Sequence, residues 1–187
     1  HLYGPVLGLP DLRGELATRW GVAYDAPGHV KPAHVGITSG CNQAFAAAIA
    51  TLGGEEDEVI LPTPWYFNHK MWLDMSGARA IALSVADGML PNLEDARSLI
   101  TTRTRAIALV SPNNPAGIEY PADHVLAFYE LARSHNITLI VDETYRDFDS
   151  RSGPPHAGAR HPRPDRSRAR GRPDRRTRCR GHHRQPA

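Results

Sequence analysis

The stretch Leu139-Ile140-Val141-Asp142-Glu143-Thr144-Tyr145-Arg146-Asp147-Phe148 decides how this chain is read. Four apolar or β-branched residues, Thr138 to Val141, run into an aspartate, and a tyrosine follows three residues later. That is the pattern of a strand delivering an acid and a phenol to its carboxyl end, where open α/β sheets bind ligands. Taken alone, a strand followed by a polar turn explains the same residues, and Asp142 is then only a turn residue. The upstream chain has to decide between the two.

Upstream, apolar runs alternate with helical periodicity. Asp11 to Trp20 reads as a short helix with Asp11 as its N-cap. Val35 to Thr38 reads as a short strand closed by the turn Ser39-Gly40-Cys41-Asn42. In Asn42 to Leu52 the residues Phe45, Ala48, Ile49 and Leu52 share one helical face, and Gly53-Gly54 stops the helix. Strands are predicted at Glu58–Leu61, Ala80–Val85 and Ala106–Val110. Helices are predicted at Phe67–Ser76, from a cap at Asn92 through Ile100, and from Pro121 to His135, with Val125, Phe128, Tyr129 and Ala132 on one face. The strands are apolar throughout rather than alternating, which implies a largely parallel sheet covered on both faces by helices.

Charge divides the chain in two. Residues 1–150 carry 18 Asp and Glu against 10 Lys and Arg, whereas residues 151–187 carry 12 Arg and two Asp. The second part contains no Ile, Leu, Val, Phe, Tyr, Trp or Met. Such a segment cannot bury enough surface to offset its ordering entropy, so 151–187 is expected to be a disordered basic tail. Two cysteines, Cys41 and Cys179, form no metal-binding or redox spacing, and Cys179 with His182-His183 is taken as incidental. The longest apolar region, Ala44 to Leu52, is too short to span a bilayer. A cytoplasmic protein without a membrane partner is the expectation.

The candidate chemistry lies just after the predicted strands. Ser39-Gly40-Cys41-Asn42 opens a helix, where free N–H groups and the helix dipole favour an anion and Gly40 lets a phosphate approach the main chain. Cys41 is read as supplying its amide rather than as a nucleophile. Trp65-Tyr66-Phe67 offers a flat ring. Asn114 in Ser111-Pro112-Asn113-Asn114-Pro115-Ala116-Gly117 offers a side-chain donor, while Asp142 and Tyr145 add an acid and a phenol. Each group alone has a structural explanation. Together they suit a phosphorylated, aromatic, nitrogen-containing ligand such as pyridoxal phosphate.

Five pieces in register resemble the class I/II aminotransferases of PLP fold type I: Tyr3…Gly8…Leu12-Arg13, Thr38 to Phe45, Pro62 to Tyr66, Ser111 to Gly117, and Asp142 to Tyr145. The resemblance spans roughly residues 1–150 and implies an incomplete large domain of that fold. It also implies pyridoxal 5′-phosphate as cofactor, an amino acid and a 2-oxo acid as substrates, and a homodimer. By the resemblance, Gly40, Cys41 and Asn42 hold the cofactor phosphate and Tyr66 stacks on the ring. Asn114 and Tyr145 bond the ring hydroxyl, Asp142 pairs with the ring nitrogen, and Tyr3 reaches the phosphate of the partner subunit.

The family also requires a lysine that forms the Schiff base with the cofactor and shuttles a proton. It is expected a few tens of residues after Asp142, yet the sequence holds only Lys31 and Lys70. The chain is therefore expected to be truncated and inactive in transamination, with the tail arising out of frame. The other frames of its coding DNA are expected to contain a Ser-x-Ser-Lys segment. Three alternatives remain open at this point. One is another fold type I enzyme such as a carbon–sulfur β-lyase, and another is a non-catalytic remnant that binds the cofactor. The third is a nucleic-acid binder acting through the basic tail, which the lack of interleaved aromatic residues disfavours.

Overall fold

In a computed structural model the chain is described over residues 3–85 and 87–150. The basic tail expected to be disordered lies outside the described residues. Four strands form one parallel sheet: β1 (Glu58–Thr63), β2 (Arg79–Ser84), β3 (Thr104–Val110) and β4 (Thr138–Asp142). Their order is β2-β1-β3-β4. The helices are α1 (Pro10–Ala23), α2 (Cys41–Leu52), α3 (Phe67–Ser76), α4 (Leu93–Ser98) and α5 (Ala122–Ser134).

Alternate strand residues face opposite helical layers, as the two-residue period of a strand requires. Val59, Leu61, Ala106 and Ala108 pack with Phe45 and Ile49 of α2 and Leu73 of α3. Ile60, Ile107 and Leu109 pack on the other face with Ala96 of α4 and Val125, Phe128 and Leu131 of α5. Both faces are therefore covered, and the near-continuous apolar runs of β1 and β3 follow from that. The edge strand β4 is only half-buried along its length, because it pairs with β3 alone among the described residues.

The ends of the helices show why they stop where they do. Asn92 caps α4, its Oδ1 accepting from the N–H groups of Glu94 at 2.8 Å and Asp95 at 3.1 Å. Gly77 ends α3 at φ 76°, a left-handed conformation that glycine adopts without a Cβ clash. Two local expectations are corrected. Asp11 lies in the first turn of α1 rather than at its cap, since Pro10 opens the helix and Leu9 precedes it. Val35 to Thr38 is not a strand. Val35 is buried, but its N–H donates to Pro32 O, its carbonyl accepts from Arg13 Nε of α1 at 2.8 Å, and the N–H of Ile37 donates to Leu7 O, so the segment ties the amino-terminal loop to α1 instead of joining the sheet.

The strand order reverses direction between β1 and β3. β1 leads to β2 on one side, the chain then crosses to β3, and β4 follows on the other side. In doubly wound sheets that switch point opens a crevice at the carboxyl ends of the strands. Here Thr63, Val110 and Asp142 stand at those ends.

Candidate functional site

A cavity of about 340 Å³ sits at this carboxyl edge, lined by Gly40, Cys41, Asn42, Tyr66, Val110, Asn114, Asp142, Thr144 and Tyr145. Seven of the eight residues singled out from the sequence thus meet in one place. The eighth, Tyr3, does not line the cavity, and its side chain is fully exposed.

The amino end of α2 supplies one wall. Gly40 precedes the helix at φ 91°, and no side chain caps that end. The N–H groups of the first helical turn have no carbonyl four residues back, so the first three amides from Cys41 on face outward without intrahelical partners. The aligned helix dipole adds positive character there. Around Gly40 the side chains are occupied locally: Thr38 Oγ1 donates to Gly40 O at 2.9 Å, and Gln43 Oε1 accepts from Ser39 N at 2.6 Å. No atom lies within 4 Å of the position a Cβ on Gly40 would take, which leaves an open approach to the main chain.

The turn after β3 divides labour between its two asparagines. Asn113 Nδ2 donates to Tyr120 Oη at 3.2 Å and to Val110 O at 3.4 Å, while its Oδ1 accepts from Ala116 N at 3.0 Å. Ser111 Oγ accepts from Tyr120 N at 3.0 Å. Burial pushes the Tyr120 phenol up to about 12, only partly offset by Asn113. These bonds build the turn and leave Asn114 as the asparagine on the cavity.

Asp142 is the best-supported group in the site. Its Oδ1 accepts from Thr144 N at 3.0 Å and from Thr144 Oγ1 at 2.6 Å, and its Oδ2 lies 3.1 Å from His69 Nε2. An ionised carboxylate can only accept, so Nε2 carries the hydrogen in this pair. Burial pushes the Asp142 pKa up, but the bonds from His69 and Thr144 outweigh it and hold the carboxyl below its ordinary value. The acid is therefore ionised at neutral pH.

His69 was not anticipated from the sequence. It lies in the first turn of α3, is 2% exposed, and stacks on Phe45 with ring centroids 3.9 Å apart and planes 14° from parallel. It also meets the Tyr66 ring edge-on at 5.2 Å. One buried imidazole thus braces both the acid and the aromatic wall. Its 73-residue separation from Asp142 gives no local signal. The only hint was a histidine on the same helical turn as the aromatic cluster.

A family model for class I and II aminotransferases matches residues 1–170. The chain belongs to that family. The match runs 20 residues past the boundary drawn at 150 from composition. The probable aspartate/prephenate aminotransferase of Thermus aquaticus is 30% identical over 145 residues, covering 76% of this chain and 37% of that protein. The aspartate aminotransferase of Bacillus subtilis is 28% identical over 148 residues, covering 76% and 36%. Among solved structures, Thermus thermophilus aspartate aminotransferase with maleate superposes with a TM-score of 0.76 at 29% identity, over 82% of this chain and 40% of that one. The alanine aminotransferase of Pyrococcus furiosus gives 0.75 at 28%, over 84% and 40%. The chain thus spans well under half the length of the aminotransferases it matches.

Aminotransferases of this family work with pyridoxal 5′-phosphate, and the donor set of the cavity fits that group. Uncapped amides at a helix start suit a phosphate dianion, the Tyr66 ring suits a flat heterocycle, and an ionised, buried carboxylate suits a protonated ring nitrogen. Neither lysine of the sequence lines the cavity. Lys70 pairs with Asp74 along α3 at 2.5 Å. Among the described residues no three His, Cys, Asp or Glu side chains are grouped to hold a metal, and no helix is long and apolar enough to cross a membrane.

Proposed function

We propose that these residues form the cofactor-binding part of a pyridoxal phosphate-dependent aminotransferase acting on an amino acid and a 2-oxo acid. The observation that carries this reading is Asp142: a carboxylate held ionised by His69 and Thr144 in a cavity that also presents free helix-start amides and a tyrosine ring. The cofactor, when bound, supplies an electron sink for charge developing at the substrate α-carbon.

The amides of Cys41 and Asn42 would take the phosphate, and Gly40 would let it approach the main chain. Tyr66 would cover one face of the ring. Asn114 and Tyr145 would bond its hydroxyl, and Asp142 would keep the proton on its nitrogen. Tyr3 would serve the partner subunit of a homodimer. The intact enzyme is assigned to the cytoplasm. Residues 1–150 are assigned to the partial large domain of this fold. The names of the relatives, aspartate, aspartate/prephenate and alanine aminotransferases, favour amino transfer over β-elimination.

Neither lysine of these 187 residues lines the cavity, so cofactor binding to this chain is expected to be non-covalent. The test is to titrate pyridoxal 5′-phosphate into the full chain, then reduce with borohydride and map adducts by mass spectrometry. Saturable binding without a stoichiometric lysine adduct is expected. Absence of saturable binding overturns the site assignment, and a single stoichiometric adduct at Lys31 or Lys70 overturns the non-covalent reading.

A further inference from the structure

The loop that carries Asp142 and Tyr145 is gripped from outside the cavity. Tyr24, at the carboxyl end of α1, donates its phenol to Glu143 Oε2 across 119 residues of sequence. The Arg146 guanidinium lies over two rings of the same helix end, 5.7 Å from Tyr24 and 5.9 Å from Trp20. Tyr24 is 7% exposed, so both contacts are made at a buried position. Burial, followed by the charge and hydrogen bond of Glu143, raises the Tyr24 phenol far above its ordinary value, while Arg146 draws the other way. The phenol therefore stays protonated and remains a donor.

Glu143 and Arg146 alternate with the residues that face the cavity: Asp142, Thr144 and Tyr145 line it. The backbone closes a tight turn between the two gripped residues, with Arg146 N donating to Glu143 O at 2.9 Å. Fixing Glu143 and Arg146 consequently fixes the turn on which Asp142 bonds Thr144. We propose that Tyr24, Trp20, Glu143 and Arg146 form a latch by which α1 sets the position of the 142–146 loop and hence of the cofactor-facing acid and phenol. These are positioning residues. The role rests on the proposed cofactor site for its functional consequence, but not for its structural one.

The experiment measures residue-resolved amide exchange on the full chain and on Tyr24→Phe. A hydrogen bond to a charged partner carries about ten- to a hundredfold in an equilibrium constant. The Thr144 and Arg146 amides are expected to exchange roughly tenfold faster in the variant, at the low end of that range because Arg146 still holds the loop. The Phe128 and Leu131 amides of α5 are expected to be unchanged. Unchanged rates at Thr144 and Arg146 overturn the latch, as does a uniform rise across the chain, which marks global destabilisation. If Tyr24→Phe does not fold, Glu143→Gln decides. It keeps the shape, leaves Tyr24 a neutral acceptor, and is expected to accelerate the same two amides by a smaller factor.

A second reading uses pyridoxine 5′-phosphate as probe. Its affinity is expected to fall about tenfold in Tyr24→Phe, while inorganic phosphate binds both chains alike because its cradle lies on α2. Equal probe affinity in both chains overturns the latch while leaving the proposed function intact. No probe binding to the wild-type chain overturns the proposed function, and the exchange pattern then judges the latch on its own.

Discussion

Replacing His69 by phenylalanine isolates what holds Asp142 in its charged form. Phenylalanine keeps a flat ring for the stack on Phe45, now at 3.9 Å and 14°, at the cost of a slightly larger ring in a buried site. The hydrogen bond lost is that from Nε2–H, 3.1 Å from Oδ2. A hydrogen bond to a charged group carries about 1.5–3 kcal/mol, and the side chain of Asp142 is only 11% exposed, so little water replaces the lost donor. A destabilisation of about 2 kcal/mol at pH 7 is expected. The pH dependence gives a sharper check. In the native chain the Asp142 pKa is lowered, so its contribution is fully present above its unfolded value, about 3.9, and is lost as pH falls through the folded value. Without His69 only the two Thr144 bonds oppose the burial cost, so the folded pKa rises relative to wild type and the charged form loses stability. The stability gap between wild type and His69→Phe is therefore largest near neutrality and narrows as pH drops toward and below about 4. Urea unfolding followed by circular dichroism at several pH values from 7 to below 4 measures it. A gap that is absent at pH 7, or that widens on acidification, refutes the assignment of His69 as the support of an ionised Asp142.

Further changes test other parts of the structure. Gly40→Val places a β-branched residue at φ 91° with open space around its Cβ. The cost is then backbone strain of about 1–3 kcal/mol, seen as a lower urea midpoint together with weaker inorganic phosphate binding. Asn92→Ala removes the cap of α4, and about 1 kcal/mol is expected from denaturant titration with no effect on ligand binding. Phe128→Ala empties a fully buried position between α5 and the sheet, costing about 3–5 kcal/mol, enough to broaden or abolish cooperative unfolding in a domain of ordinary stability.

What was legible in the sequence follows from which forces are local. The runs Val59–Leu61 and Ala106–Val110 announce strands because both faces of a central parallel strand are covered, and the Phe45/Ile49 period announces α2 because one helical face is buried. Caps and stops such as Asn92 and Gly77 are equally local, set by one side chain or one backbone angle. Val35 to Thr38 misled because β-branched residues beside a turn look strand-like, while the decision rests on whether a neighbouring strand is there to pair. Leu7 and Pro32 take those backbone bonds instead. The half-exposure of β4 has the same origin, since nothing in Thr138–Asp142 distinguishes an edge strand from a central one. Tyr66, Asn114, Asp142 and Tyr145 could be named because each stands at or just after a strand end, and Gly40 to Asn42 because they open a helix. His69, Tyr24 and Arg146 could not, because they act through contacts made only after the sheet has assembled.

The most direct test of the central claim is isothermal titration of pyridoxine 5′-phosphate into the wild-type chain and Asp142→Asn at neutral pH, with inorganic phosphate as the reference ligand. The cavity as described predicts saturable binding to wild type and an affinity at least about tenfold weaker in Asp142→Asn, the size of a lost charge-assisted bond. Inorganic phosphate is predicted to bind both chains equally. Equal affinity of the two chains for the pyridine ligand, or no binding to the wild type, would contradict the assignment of this cavity to a phosphorylated pyridine.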